Sequence, residues 1–106
     1  IVDNNNLQID GTLEEVNAPY PIDEKFKAFG WNVICINGHC FDRIDEAFKA
    51  AKECKGKPTC IVAKTVKGKG VSFMEDKCDW HGSAPNAEQY EQAMAELNAA
   101  LAELEA

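Results

Sequence analysis

Apolar positions along the chain recur with two different periods. In PIDEKFKAFG, Ile22, Phe26 and Phe29 recur at helical spacing and Gly30 supplies a C-terminal stop. WNVICI, from Trp31 to Ile36, is almost continuously apolar, the pattern of a strand buried on both faces of a sheet. Asp42 is placed to cap the next helix, whose inner face would hold Ile44, Ala47, Phe48 and Ala51 and which Gly56 and Pro58 stop. TCIVAKTV, from Thr59 to Val66, reads as a second buried strand rich in β-branched residues. A long glycine-containing loop, GKGVSFMEDKCDWHGSAP, follows it. Loops of that length inside compact domains are usually functional or disordered.

Residues 86–105 form the last element, an amphipathic helix. Asn86 and Gln89 have the spacing of a capping box. Tyr90, Met94, Leu97, Leu101 and Leu104 make one apolar stripe. A helix packed on a sheet is the expected outcome, since the stripe is too short for a sustained coiled-coil seam. The opening IVDNNN reads as a strand running into a polar turn, and it begins without residues to lead into it, as in a piece of something longer.

Strand, helix, strand, helix, strand, helix is the order of an α/β protein with parallel pairing and right-handed crossovers. The expected architecture is a partial doubly wound parallel sheet with flanking helices. Ligands of such sheets bind beyond the carboxyl ends of the strands. DNNNLQIDG, INGHC and the 67–82 loop each follow a strand, so the unusual loops should gather at one edge.

Composition narrows the function. The 106 residues carry 18 acids against 11 Lys and Arg, a net charge of −7, which argues against a nucleic-acid partner. No apolar run is long enough to cross a bilayer, and the expected setting is the cytoplasm. Five cysteines without a C-x-x-C pair argue against a disulfide framework or a zinc ribbon. Cys35, His39 and Cys40 could bind a metal in principle, but Cys35 reads as a buried strand thiol and His39 as structural.

Three loops carry candidate chemistry. Asn5 offers an amide oxygen and Leu7 a backbone carbonyl, oxygen ligands suited to a hard cation such as Mg²⁺; the other reading of the run is an ordinary asparagine-rich turn. Lys67 and Lys69 alternate with Gly68 and Gly70, a pattern for close approach to an anion or for a flexible solvated loop. His81, between Trp80 and Gly82, is either a hydrogen-bonding and proton-transfer group or a plain surface residue.

In combination, DNNNLQIDG, AFGWNVICINGH and KGKPTCIVAKTVKGKGVSFMEDKCDWHGSAP closely resemble transketolase. The match is to the later part of its first, diphosphate-binding domain (here residues 1–106), particularly where that domain is a separate subunit. It covers nearly all of residues 1–85, and the final helix matches in type only. The resemblance implies thiamine diphosphate held through Mg²⁺ (or Ca²⁺), and transfer of a two-carbon ketol unit between sugar phosphates. By position, Asn5 and Leu7 correspond to metal ligands, Ile9 to an apolar residue near the thiazolium ring, and Lys67 to a lysine near the diphosphate. His81 corresponds to a histidine touching both the cofactor phosphate and the reacting end of the sugar, the catalytic position.

The departures shape further expectations. No Gly-Asp-Gly, the family's carboxylate metal motif, occurs in these residues, nor does the second domain with its activating glutamate. The chain alone is therefore expected to be inactive, to need the remaining transketolase segments or subunit, and to self-associate through an open sheet edge. 1-Deoxyxylulose-5-phosphate synthase and dihydroxyacetone synthase share the cofactor, but the W-H-G with Pro85 and the K-G-K-G loop suit transketolase better. A non-catalytic α/β interaction module is the alternative from another class.

Overall fold

The computed structural model describes every residue from Ile1 to Ala106. Its order is β1 (Val2–Asn4), β2 (Leu7–Gln8), β3 (Gly11–Thr12), α1 (Leu13–Asn17), α2 (Ile22–Ala28), β4 (Asn32–Asn37), α3 (Phe41–Glu53), β5 (Thr59–Lys64), a short 3₁₀ helix (Cys78–His81) and α4 (Ala87–Glu105). β1, β5 and β4 form a parallel sheet in that order, with β5 in the middle. The chain crosses from β1 to β4 through α2, then returns to β5 through α3. Right-handed crossovers in opposite directions place α2 and α3 on opposite faces, which is the expected doubly wound arrangement.

The core follows the central strand. Cys60, Ile61, Val62 and Ala63 are buried, joined by Ala47 from α3 and Val71 from the loop beyond β5. The chain is a slab of 51 × 40 × 15 Å with a radius of gyration of 17.0 Å. A compact chain of this length has a radius near 13 Å, so much of the sheet and helix surface is uncovered.

Several expectations change at the edges of that slab. β4 is an edge strand rather than one buried on both faces, and Cys35 is exposed. Even so, partial desolvation raises the Cys35 thiol above its ordinary pKa. Asp42 does not cap α3: the N-cap is Cys40, which makes no side-chain capping bond, and Asp42 stands in the first turn near the positive end of the helix dipole. Phe29 lies at the C-cap of α2 and is 84 % exposed, while Phe26 packs edge-on against Trp31 with ring centroids 5.2 Å apart. Phe48 on α3 is exposed too.

α4 has the predicted capping box, with Asn86 accepting from the Gln89 amide and Gln89 accepting from the Asn86 amide, both at 2.9 Å. Its stripe does not lie on the sheet. Leu97, Leu101 and Leu104 are all exposed, and the helix is tied to the loop beyond β5 instead. The β2–β3 hairpin and α1 fall where the sequence suggests only a turn. α1 owes its start to a Thr12–Glu15 capping box, a signal present in the sequence.

Burial decides what substitutions cost. Ile61→Ala should destabilise by about 2–5 kcal/mol, whereas Phe41→Ala, at an 88 % exposed site, should stay within about 0.5 kcal/mol. Denaturant unfolding of both variants would check the contrast.

Candidate functional site

The parallel register sets where the strands stop. Asn4 of β1 and Asn37 of β4 both stand beside Lys64 of β5, so all three strands end at one level and their following loops share one edge. The asparagine run then folds on itself. Asn5 Oδ1 accepts the Leu7 amide at 2.9 Å, an Asx-type turn. Asn6 takes a left-handed φ of 63°, which asparagine tolerates. The Tyr20 hydroxyl lies 2.8 Å from Asn4 Oδ1 and 3.1 Å from Asn6 Oδ1, pinning both sides of the turn. The turn delivers Leu7 and Gln8 into the β2–β3 hairpin.

The loop beyond β5 is built as firmly. Gly68 has φ of 71°, and a Cβ there would lie 2.6 Å from the Met74 carbonyl oxygen, so only glycine fits. The Asp76 amide returns to the Lys67 carbonyl at 3.0 Å, closing the loop behind Lys67. Trp80 then anchors the 3₁₀ turn: its indole N–H donates to the Phe73 carbonyl at 3.1 Å, and the two rings stand 5.3 Å apart. His81 is the next residue, carried on that anchored turn. The expected long irregular loop is thus an ordered one.

Asn5, Leu7, Ile9, Lys67 and His81 line one cavity of about 340 Å³. All five are residues selected from the sequence. A sixth lining residue, Gln8, carries no sequence signal of its own; its side-chain Nε2 is buried and makes no hydrogen bond. Lys69 points elsewhere, pairing with Glu75 at 3.4 Å. His39 is outside this cavity, where its Nε2 accepts the Val66 amide at 2.7 Å and so joins the ends of β4 and β5, the structural role expected for it.

α4 holds the loop from outside. The Glu96 carboxylate accepts the Ser72 amide and the Ser72 hydroxyl, each at 2.6 Å, and the Gln92 amide at 2.9 Å. Those bonds, led by the one from the Ser72 hydroxyl, lower the Glu96 pKa below its ordinary value. Glu75 accepts the Gly70 amide at 3.0 Å and is lowered chiefly by that bond.

The fold is that of an α/β protein with a parallel sheet, and its strand-end cavity holds a lysine, a histidine and amide groups, a set with the chemistry to meet an oxygen-rich anion. Comparison with known proteins makes this specific. Residues 1–102 match the family described as "Transketolase, thiamine diphosphate binding domain", and the chain belongs to that family. It is 41 % identical over 105 residues to one of the subunits of apulose-4-phosphate transketolase from Phocaeicola vulgatus, covering 99 % of this chain and 37 % of that protein. Identity is 44 % over 95 residues to the 6-deoxy-6-sulfo-D-fructose transketolase subunit SqwG of a Clostridium species, covering 90 % of this chain and 34 % of that protein. The crystal structure of transketolase from Campylobacter jejuni superposes with a TM-score of 0.80 at 32 % identity, covering 89 % of this chain and 15 % of that one. The chain therefore spans roughly a third of the subunit relatives it matches.

Two outcomes test the loop. Gly68→Ala should destabilise it by about 1–3 kcal/mol, from the positive φ alone, with the contact at Met74 adding to that; thermal unfolding reads the loss. Because the Glu96 and Glu75 pKa values are lowered in the folded state, their stabilisation is present above the ordinary carboxylate value of 4.5 and is lost as pH falls through the lower folded values. The Ser72 and Gly70 amide NMR signals should hold constant from neutral pH to that value, and shift below it. Glu96→Gln should abolish the acid shift at Ser72 and leave that at Gly70.

Proposed function

We propose that this chain forms the diphosphate-binding wall of a thiamine diphosphate-dependent transketolase, of the type in which this domain is a separate subunit. The observation that carries the reading is the single cavity shared by Asn5, Leu7, Ile9, Lys67 and His81. The donor set fits a diphosphate: Lys67 makes no ion pair within the chain and shares the cavity with His81. When bound, thiamine diphosphate supplies the electron sink for breaking and forming the carbon–carbon bond of a ketol transfer.

The protein groups do the rest. Lys67 neutralises diphosphate charge, a charge-assisted contact worth about 1.5–3 kcal/mol. Ile9 gives an apolar surface to the thiazolium ring. His81, held by Trp80, orients a sugar hydroxyl and passes a proton at the reacting end of the substrate. Asn5 Oδ1 spends one lone pair on the Leu7 amide; its other lone pair and the Leu7 carbonyl would face Mg²⁺ (or Ca²⁺). No group of three or more His, Cys, Asp or Glu gathers in the chain, so the cation also needs diphosphate oxygens and a carboxylate from another segment.

Under this reading the substrates are sugar phosphates, the setting is the cytoplasm, and the chain alone is inactive. Its partners are the remaining transketolase segments or subunit, and the two edge strands, β1 and β4, are where further chain or a second copy would pair. Melting curves with and without thiamine diphosphate and Mg²⁺ test it. At a hundredfold excess over Kd the assembled protein should gain about 2.7 kcal/mol, and the isolated chain little. Lys67→Ala should weaken cofactor affinity roughly ten- to hundredfold, and His81→Ala should lower ketol transfer. An assembled protein indifferent to thiamine diphosphate would favour a non-catalytic interaction module.

A further inference from the structure

Asn5 and Leu7 line a second cavity too, of about 610 Å³, together with Asn4, Asn6 and Tyr20. Lys67 and His81 line only the first cavity and Tyr20 only the second, so the asparagine turn is shared by both. The Tyr20 hydroxyl lies 2.8 Å from Asn4 Oδ1 and 3.1 Å from Asn6 Oδ1, the two residues that flank Asn5. Its one proton goes to one acceptor at a time, and Asn4 is the nearer. The segment that carries Tyr20 is itself held, because Lys25 Nζ of α2 donates to the Pro19 carbonyl at 2.6 Å. On the main chain the turn is tied on either side of Asn5: the Asn4 carbonyl accepts the Thr65 amide at 3.1 Å, and the Asn6 carbonyl accepts the Leu13 amide at 2.9 Å.

We propose that Tyr20 is a positioning residue for the cation: by holding both neighbours of Asn5, it fixes the direction in which Asn5 presents its free lone pair. The inference rests on the transketolase reading, in which Asn5 faces that ion. Asn6 is the soft point of the turn, since its φ of 63° is a conformation that a residue other than glycine adopts at a cost. Without the hydroxyl the turn has other conformations open to it, and the ion would have to order Asn5 on binding. A small hard cation such as Mg²⁺ demands near-ideal geometry, so a loosely held ligand costs affinity. Tyr20 is 40 % exposed and its bonds join exposed groups, so the hydroxyl contributes little to folding. Its effect therefore falls on the ligand, and it is exerted through Asn5.

Calorimetric titration of the assembled protein with thiamine diphosphate, at a fixed Mg²⁺ concentration, compares wild type, Tyr20→Phe, Asn5→Ala and the double variant. Tyr20→Phe removes only the hydroxyl and should weaken binding about three- to tenfold, with ligand-free melting unchanged. Added to Asn5→Ala it should cost nothing more, because the group it positions is gone. With Mn²⁺ in place of Mg²⁺, the electron paramagnetic resonance lines of the bound ion should broaden in Tyr20→Phe, a readout that does not depend on Asn5→Ala folding. Losses that multiply in the double variant would overturn the inference by giving the hydroxyl an effect of its own. A fall in ligand-free melting with unchanged Mn²⁺ lines would overturn it by making the role structural. Wild-type protein that binds no thiamine diphosphate would remove the transketolase reading and this inference together, whereas wild-type binding that Tyr20→Phe leaves undiminished would remove the inference only.

Discussion

The level at which three parallel strands end is the constraint on which the site depends. Asn4, Lys64 and Asn37 stand side by side because β1 and β4 both pair with β5 in parallel register. A one-residue slip of either edge strand would carry its side chains to the opposite face and move its loop along the edge by one residue. The register is guarded by groups just past the strand ends. The Thr65 amide donates to the Asn4 carbonyl, the Gly38 amide donates to the Lys64 carbonyl, and His39 accepts from Val66. The Thr65 hydroxyl also donates to Asp3. These bonds tie both edge strands to the middle one where the cavity begins.

Rigidity then passes outward from the sheet through small, crowded contacts rather than a large core. Only six residues are buried, so the loop carrying Lys67 and His81 cannot rely on burial alone. Val71 is its single buried anchor, and the close approach at Gly68, the Trp80–Phe73 contact and the Glu96 strap supply the rest. α4 thus acts, through Glu96 and Ser72, on the loop that carries the site. Its exposed leucines and the thinness of the slab belong together: a helix fixed by a polar strap keeps its apolar stripe uncovered.

Much of this was legible in the residues, for identifiable reasons. Continuous β-branched runs, the Gly30 stop and the Asn86–Gln89 pair are local signals, and they mark elements close to their observed bounds. The gathering of the loops at one edge follows from parallel pairing, a general property of the fold class. What misleads is information held by neighbours. Cys35 lies in an apolar run, yet its strand is at the edge, and no local pattern says which strand is central. The stripe on α4 shows an apolar face but not what it meets. Asp42 is a good capping residue two positions too late, since the N-cap is Cys40. Gln8 carries no local signal for its place in the cavity wall, because that place is set by the β2–β3 hairpin rather than by residue type.

Under the proposed cofactor reading, the identity of the three opening asparagines answers an electrostatic demand. Each serves the turn: Asn4 and Asn6 share the single Tyr20 hydroxyl proton, with Asn4 the nearer at 2.8 Å, Asn5 accepts from Leu7, and Asn6 adopts the left-handed conformation. Aspartate would serve all of these roles almost as well, since it accepts hydrogen bonds and tolerates the same backbone. Yet in a chain already at −7, aspartates there would set negative charge beside a cavity suited to an anion. At about 4 Å each such pair costs roughly 1 kcal/mol in water and about 4 kcal/mol at a protein surface. Amides keep the turn geometry and remove that repulsion, so the field of Lys67 is left to act on the ligand. Under that reading the turn calls for short polar side chains and a nearby anion favours uncharged ones at Asn4 and Asn6, while Asn5 keeps an amide oxygen for the cation.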